Sequence, residues 1–200
     1  RDDDGGSETV DRSGYVSRDR SGCDRAADLA DAVDERSLPM QGSGSAIRHL
    51  SRVDPVMRRL IRDVGPFALI PKVRRTPFES LARAIAFQQL HEKAAESILK
   101  RFIALFPGRR FPRPAELLTA HADAIRGAGF SGAKVLALRD LAAKTLDGTV
   151  PTGREIKTLD DDAIVERLVE VRGIGRWTVE MLLIFQLGRP DVLPVDDFGV

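Results

Sequence analysis

Residues 171–197 constrain the fold more than any other part of this chain. A Gly-x-Gly turn, Gly173-Ile174-Gly175, comes before a mostly apolar run over residues 177–187, which is long enough for about three helical turns. Three residues that disfavour a helix follow this run, and they are Gly188, Pro190 and Pro194. The pair Asp196-Asp197 follows at once. This order predicts two helices joined by a tight turn, then a loop, then a carboxylate pair that opens a further helix.

The two glycines of the turn have a physical explanation. A short connection between helices requires backbone angles that a Cβ atom resists, so glycine is favoured there. Small side chains also leave the N–H groups of the turn open at the start of the next helix, where a phosphate is readily bound. An ordinary helix–helix turn is the alternative, because short glycine motifs occur by accident.

The whole stretch matches a known signature in residue type and order. The matching residues are Gly173, Ile174, Gly175, Trp177, Thr178, Gly188, Pro190, Pro194, Asp196 and Asp197. They resemble the helix-hairpin-helix plus Gly/Pro/Asp signature of base-excision DNA glycosylases, and within that superfamily the alkylated-base branch, the 3-methyladenine DNA glycosylase II type. The likeness continues more loosely back to about Ile47. It implies a DNA-repair enzyme that acts on damaged double-stranded DNA.

Composition and charge divide the chain into two parts. Residues 1–45 hold 6 Lys and Arg against 11 Asp and Glu, whereas residues 46–200 hold 25 against 19. The first part has little apolar periodicity, so we predict a disordered acidic tail. Helical apolar spacing recurs through residues 46–200 and strand signals are nearly absent, which predicts an all-α glycosylase domain. We expect this domain to be two-lobed with a cleft, and to be truncated at its C-terminus.

Other classes of protein are disfavoured by composition. The single Cys23 does not provide an internal disulfide framework or a multi-cysteine zinc or iron–sulfur site. No apolar run approaches the length of a membrane span, so no membrane partner is expected. We expect an intracellular monomer, in the cytoplasm or nucleoid of a bacterium or in the nucleus of a eukaryote. No cofactor is expected to be required.

The chemistry implied by the resemblance needs a carboxylate beside the deoxyribose. Cleavage of the bond between base and sugar develops positive charge on the sugar, and a carboxylate can stabilise that charge and orient or deprotonate water. The alkylation-branch pattern places this group at Asp197, whereas counting from the preceding valine gives Asp196. N-capping of a helix is the alternative role for both aspartates.

Trp177 occupies the position where related lyases carry a Schiff-base lysine. An indole does not form that intermediate, so the resemblance implies hydrolysis by water alone and an abasic product. The indole can stack on a flipped cationic base, because tryptophan offers the most favourable cation–π face. Met181, one turn later on the same helix face, is predicted to line the base pocket. The alternative for Trp177 is a place in the core.

The segment Gln88-Gln89-Leu90-His91 matches the part of the family that delivers a wedge side chain into DNA. His91 lies at the wedge position, and an imidazole can stack between bases. Gln88 or Gln89 would either bond to the opened strand or brace the helix junction. The alternative role for His91 is to cap or join two helices.

The resemblance assigns phosphate binding to the backbone amides from about Gly173 to Arg176, which include Ile174 and Gly175, and the side chains of Arg172 and Arg176 could add contacts. Solvated arginine is the alternative for both side chains. Relatives hold Na⁺ or K⁺ with hairpin carbonyls, and no metal ligation by side chains is expected here. Two other functions stay open: a DNA-binding module without chemistry, and a bifunctional oxidised-base lyase, which Trp177 disfavours.

Overall fold

The computed structural model describes residues 43–65 and 69–198, and this part of the chain contains helices and no strand. The all-α prediction is therefore confirmed there. The helices are α1 Ser43–Val53, α2 Pro55–Val64, α3 Pro77–Phe87, α4 Glu92–Ala104, α5 Pro114–Thr119, α6 Ala122–Gly127, α7 Gly132–Leu146, α8 Asp161–Leu168 and α9 Arg176–Leu182. None of them is long and apolar enough to cross a membrane.

The predicted acidic tail lies almost wholly outside the described residues. The exception is residues 43–45, which belong to α1 rather than to a tail. The helical pattern that follows predicts one segment, but the structure divides it at Asp54. The Asp54 carboxylate accepts hydrogen bonds from the backbone N–H groups of Val56 at 2.7 Å and Met57 at 3.0 Å. This N-cap, followed by proline at the first helical position, starts a new helix.

The apolar core is built by helices α3 to α9 around Phe102 of α4. This side chain is fully buried and packs edge-on against Phe106, with ring centroids 5.5 Å apart. It also contacts the tilted ring of Phe130, whose centroid lies 5.2 Å away. Helix α7 crosses the middle of the core and contacts both α3 and α5. It therefore places the C-terminal end of α3 and the turn between α8 and α9 on one side of the molecule.

Two predicted helices differ from the structure. The apolar spacing of residues 115–126 predicts one amphipathic helix. The structure has two short helices there, α5 and α6, with the break at Ala120 and His121. The apolar run over residues 177–187 is not one regular helix, because α9 changes at Leu183 into a π-helical turn, Leu183–Leu187. Gly188 ends that turn in the left-handed conformation, with φ of 66°. The acidic run Asp160-Asp161-Asp162 predicts an N-cap at Asp160. The structure confirms it, since the Asp160 carboxylate accepts a hydrogen bond from Ala163 N at 2.7 Å.

Candidate active site

An open cleft of about 840 Å³ lies where α3, α7 and α9 meet. Its walls come from the end of α3, the start of α7, the α8–α9 turn and one face of α9. The lining includes Gln88, Gln89, Ser131, Lys134, Arg172, Gly173, Trp177, Thr178 and Met181. Six residues predicted from two separate stretches of sequence therefore lie around one cleft, namely Gln88, Gln89, Arg172, Gly173, Trp177 and Met181.

The hairpin, residues 169–175, connects α8 to α9. Its turn is closed by a hydrogen bond from Ile174 N to Val171 O at 3.0 Å, and both side chains are buried. Gly173 has φ of +77°, which confirms that this position requires glycine. Gly175 has φ of −95°, so the backbone does not require glycine there. Its small size matters instead because it leaves the N–H groups beside it uncovered.

The N–H groups of the hairpin have different partners. Val179 N donates to Gly175 O at 3.3 Å, so the N–H groups of residues 176–178 precede the first helical hydrogen bond and point out of the helix. The N–H of Arg172 is instead bound by the Asp140 carboxylate at 2.7 Å. The N–H groups of residues 176–178 are thus open to an anion, whereas the N–H of Arg172 already has a partner.

The two glycines differ in a way that stability measurements can detect. Replacing Gly173 by alanine should lower the free energy of unfolding by about 1–2 kcal/mol, because alanine is strained at positive φ. Replacing Gly175 by alanine should change it by less than about 0.5 kcal/mol, because its φ is ordinary and no atom lies within 4 Å of the new Cβ. Chemical denaturation of both variants tests this. Equal losses would contradict the assignment of strain to Gly173.

Trp177 and Asp197 form a hydrogen-bonded pair beside the cleft. The indole Nε1–H donates to Asp197 Oδ2 at 2.6 Å, a short charge-assisted bond. Trp177 is 46% exposed, so it is a surface side chain of the cleft wall rather than a core residue. Asp197 is half-buried, whereas Asp196 is exposed. Residues 195–196 form a turn, and the helix predicted to follow lies beyond the described residues.

Met181, which is predicted to line the base pocket, lies in the wall of this cleft. Met181 is half-buried and lines the cleft together with Trp177 and Thr178. Its thioether is polarizable and able to adapt to an inserted ring. These side chains provide one aromatic and one sulfur-containing surface for a planar ligand.

The connection between α3 and α4, residues 88–91, is a tight turn with exposed side chains at its tip. Gln89 adopts φ of 57°, which is uncommon for a residue with a Cβ atom. His91 is exposed at the N-cap of α4, but its side chain makes no capping hydrogen bond. Gln88 is not at the tip, since its Nε2 donates to Gly173 O at 2.8 Å and links the turn to the hairpin.

Three residues near the cleft were missed by sequence reasoning. Leu90 is an exposed apolar residue in an otherwise polar turn, and that contrast was the available signal. Lys134 donates from Nζ to Ala86 O at 2.9 Å and to Gln88 O at 2.8 Å, and burial lowers the pKa of its ammonium group. Asp140 binds the Arg172 N–H. Lys134 and Asp140 are single charged residues on the amphipathic helix α7, and nothing in the neighbouring sequence indicates that they contact distant segments.

The two arginines of the hairpin lie at the surface. Arg176 is held by Glu180, whose Oε1 lies 3.0 Å from its Nε, and Glu180 is buried. This pair limits the directions in which the Arg176 guanidinium can point. Arg172 is exposed at the cleft margin. Both side chains remain candidates for phosphate contact.

The described residues contain no group of three or more His, Cys, Asp or Glu side chains able to hold a metal ion. Hairpin carbonyls are the other possible ligands. The oxygen of Val171 accepts from Ile174 N at 3.0 Å, and that of Gly173 accepts from Gln88 Nε2 at 2.8 Å. Each carbonyl oxygen has a second lone pair, so this donor set fits a cation that prefers oxygen ligands.

Comparison with known proteins decides the family. A model of the HhH-GPD superfamily of base excision DNA repair proteins matches residues 82–200. The chain belongs to this superfamily. The match begins within α3 and includes the residues 88–91 turn, α7, the hairpin and the Asp pair.

Individual relatives support the same assignment. DNA-3-methyladenine glycosylase 1 of Schizosaccharomyces pombe is 42% identical over 84% of this chain and 74% of its own length. A solved structure of the 3-methyladenine DNA glycosylase of that organism in complex with abasic DNA matches with a TM-score of 0.70, covering 77% of this chain and 75% of that one. DNA-3-methyladenine glycosidase of Bacillus halodurans matches with a TM-score of 0.69 at 31% identity, covering 79% and 70%.

Proposed function

We propose that this chain is a monofunctional DNA glycosylase that excises alkylated bases of the 3-methyladenine type from duplex DNA. The observation that carries the proposal is the Trp177–Asp197 pair: an indole lines the cleft while its N–H holds a carboxylate at 2.6 Å. The Trp177 side chain thus offers a stacking surface for the base, and its Nε1–H holds in place the Asp197 carboxylate that acts on the sugar. The glycosylase domain comprises residues 46–200.

Asp197 supplies the chemistry in this proposal. As the bond between the base nitrogen and C1′ lengthens, the deoxyribose becomes positively charged, and the Asp197 carboxylate stabilises that charge. Water attacks C1′ and transfers a proton to Asp197 or to solvent, which leaves an abasic site. The bonding electrons depart with the alkylated base, which leaves neutral because it carried positive charge before cleavage. Asp196 shapes the local field or caps the following helix.

Base recognition rests on Trp177 and Met181. The flipped base stacks on the exposed indole face, and the positive charge of an N-alkylated purine strengthens that contact by up to about 2 kcal/mol. Extrusion of the base from the duplex is required because the target atom is unreachable inside the stack. No lysine occupies position 177, so backbone cleavage through a Schiff base has no nucleophile there.

The residues 88–91 turn provides the wedge. His91 enters the gap left by the extruded nucleotide, and its exposure and missing cap bond leave the imidazole available to stack. Gln89 and Leu90 lie at the same exposed tip and help His91 to open the duplex. Gln88 acts by bracing the turn on the hairpin instead of entering the DNA.

The hairpin holds the DNA backbone 3′ of the lesion. The N–H groups of residues 176–178 bind phosphate oxygens, and Arg172 and Arg176 add charge. The carbonyls of Val171 and Gly173 would hold a monovalent cation, Na⁺ or K⁺, which would supply positive charge beside the phosphate. The basic balance of residues 46–200 favours the same partner. We place the protein inside the cell, acting as a monomer without a required cofactor.

The proposal is tested by incubating the protein with duplex DNA that carries N-alkylated purines. We expect free alkylated base and abasic sites, with strands that stay intact until alkali is added. Undamaged duplex of the same sequence is the control and should release no base. Firm DNA binding without release would indicate a binding module. Strand cleavage with a borohydride-trapped protein–DNA adduct would indicate a lyase.

A further inference from the structure

One face of α7 contacts both of the turns that we propose to meet DNA. Lys134, Ala137 and Asp140 lie three residues apart and therefore share a side of the helix. Lys134 contacts the residues 88–91 turn, whereas Ala137 and Asp140 lie beside the hairpin. We call these three residues the α7 brace.

Lys134 fixes the end of α3. Its ammonium donates to the carbonyls of Ala86 and Gln88, which are orphan acceptors at the C-terminus of that helix. A cation at this end also complements the helix dipole. The Gln88 carbonyl comes directly before Gln89, whose φ is positive, and before the exposed tip of the turn. Lys134 therefore determines where the wedge turn starts.

Asp140 and Ala137 fix the hairpin. The Asp140 carboxylate binds the Arg172 N–H at 2.7 Å. A Cβ atom on Gly173 would lie 3.5 Å from Ala137 Cβ, so the hairpin backbone runs directly along α7. Gln88 then completes the connection, because its side chain donates to Gly173 O at 2.8 Å. The wedge turn and the hairpin are linked to each other and to the same helix.

We propose that the α7 brace is a positioning device that sets the spacing between the wedge turn and the phosphate-binding hairpin. This inference rests on the proposed function. Opening a base pair requires the wedge to push on the stack while the hairpin holds the backbone, and a fixed spacing lets both contacts form together. The hydrogen bonds of Lys134 and Asp140 go to the residues 88–91 turn and the hairpin, not into the cleft. They act through Gln88 and the hairpin.

Such a device matters only when a base pair must be opened. A lesion in a fully paired duplex needs wedge and hairpin together, because extrusion costs several kcal/mol. The same lesion in a bulge has no pairing partner, so its extrusion costs less and needs less help from the protein. A residue that merely stabilised the fold would affect both substrates equally. The ratio of the two rates therefore separates positioning from general stability.

The test measures single-turnover base release by Lys134→Met on the same alkylated base placed in a paired duplex and in a bulge. We expect a fall of about tenfold on the paired substrate and less than about twofold on the bulge, since extrusion alone is impaired. Lys134→Arg keeps donors for both carbonyls and should restore most of the paired rate. Lys100→Met, an exposed lysine on α4, is the matched control and should change neither rate.

A second variant keeps the inference testable if Lys134→Met unfolds. Asp140→Ala releases the hairpin end of the brace, and it should again slow the paired substrate selectively. Equal falls on both substrates, by whichever variant folds, would overturn the inference and leave the brace a structural feature. If the wild type releases base from neither substrate, the proposed function fails instead, and the two failures are thus distinguishable.

Discussion

Replacing Asp197 by asparagine should lower the single-turnover rate of base release about 10³-fold, the range typical for a group that stabilises transition-state charge and positions water. Asparagine keeps the size of the side chain and can still accept the Trp177 N–H, so the cleft should keep its shape. What disappears is the negative charge opposite the developing positive sugar. A 10³-fold loss corresponds to about 4 kcal/mol of transition-state stabilisation.

DNA affinity should separate this effect from a damaged fold. Removing a carboxylate from a surface that faces phosphates reduces repulsion, so Asp197→Asn should bind alkylated duplex at least as tightly as wild type. Asp196→Asn is the matched control, because it makes the same chemical change on an adjacent exposed side chain. We expect that variant to retain base release within about threefold. Loss of release in Asp196→Asn alone would transfer the catalytic role to Asp196.

Local sequence patterns predicted the parts of the site that depend on short segments. Gly173 follows from the steric demands of a short turn, and the N-cap Asp160 follows from the preference of aspartate for that position. Trp177 lies two residues after the hairpin, in the helix that the Gly-x-Gly turn and the apolar run after it predict. In each case the atoms that fix the local conformation lie within a few residues of one another. A short stretch of sequence is therefore enough to predict it.

Contacts between distant segments were not predictable in the same way. Lys134 and Gln88 are 46 residues apart, and Asp140 and Arg172 are 32 apart. Their bonds depend on how α7 crosses α3 and the hairpin, which tertiary packing decides. The Trp177–Asp197 bond is similar, because a Gly- and Pro-containing loop separates the partners. The sequence identified both residues but not the geometry that joins them.

Irregular helix geometry was also missed. The apolar residues 183–187 are compatible with a continued α-helix, yet they form a π turn that ends with Arg189 N donating to Leu183 O at 3.0 Å. A π turn inserts one residue into a helix and shifts every later side chain around the axis. Composition does not distinguish that shift from regular continuation. Here it comes directly before the loop that leads to the aspartates.

Replacing Trp177 by leucine should reduce base release about 10²-fold, because the change removes both the cation–π surface and the bond to Asp197. Phenylalanine at this position keeps an aromatic face but lacks the Nε1–H. It should therefore lose only about tenfold, the value expected for one hydrogen bond to a charged group. Phe185→Leu, which alters another half-exposed aromatic residue near the end of α9, is the control and should have little effect.

The two contributions of Trp177 can be separated by the charge of the substrate. The cation–π contribution should matter more for a cationic alkylated purine than for a neutral lesion, whereas the bond to Asp197 should matter for both. We would therefore measure release of both lesion types by wild type, Trp177→Phe and Trp177→Leu. The rates give the separate contributions of the cation–π contact and of the hydrogen bond to Asp197. If phenylalanine and leucine lose equally on cationic lesions, the aromatic face does not bind the base.

Fluorescence provides an independent test, because Trp177 is the single tryptophan of the chain. Emission from the inactive Asp197→Asn variant reports this side chain alone. Stacking of a flipped base on the indole should quench that emission when alkylated duplex binds, and undamaged duplex should quench it less at equal saturation. Equal quenching by both would mean that the base does not reach Trp177. The indole would then contribute through Asp197 alone, and Trp177→Phe and Trp177→Leu should lose the same activity.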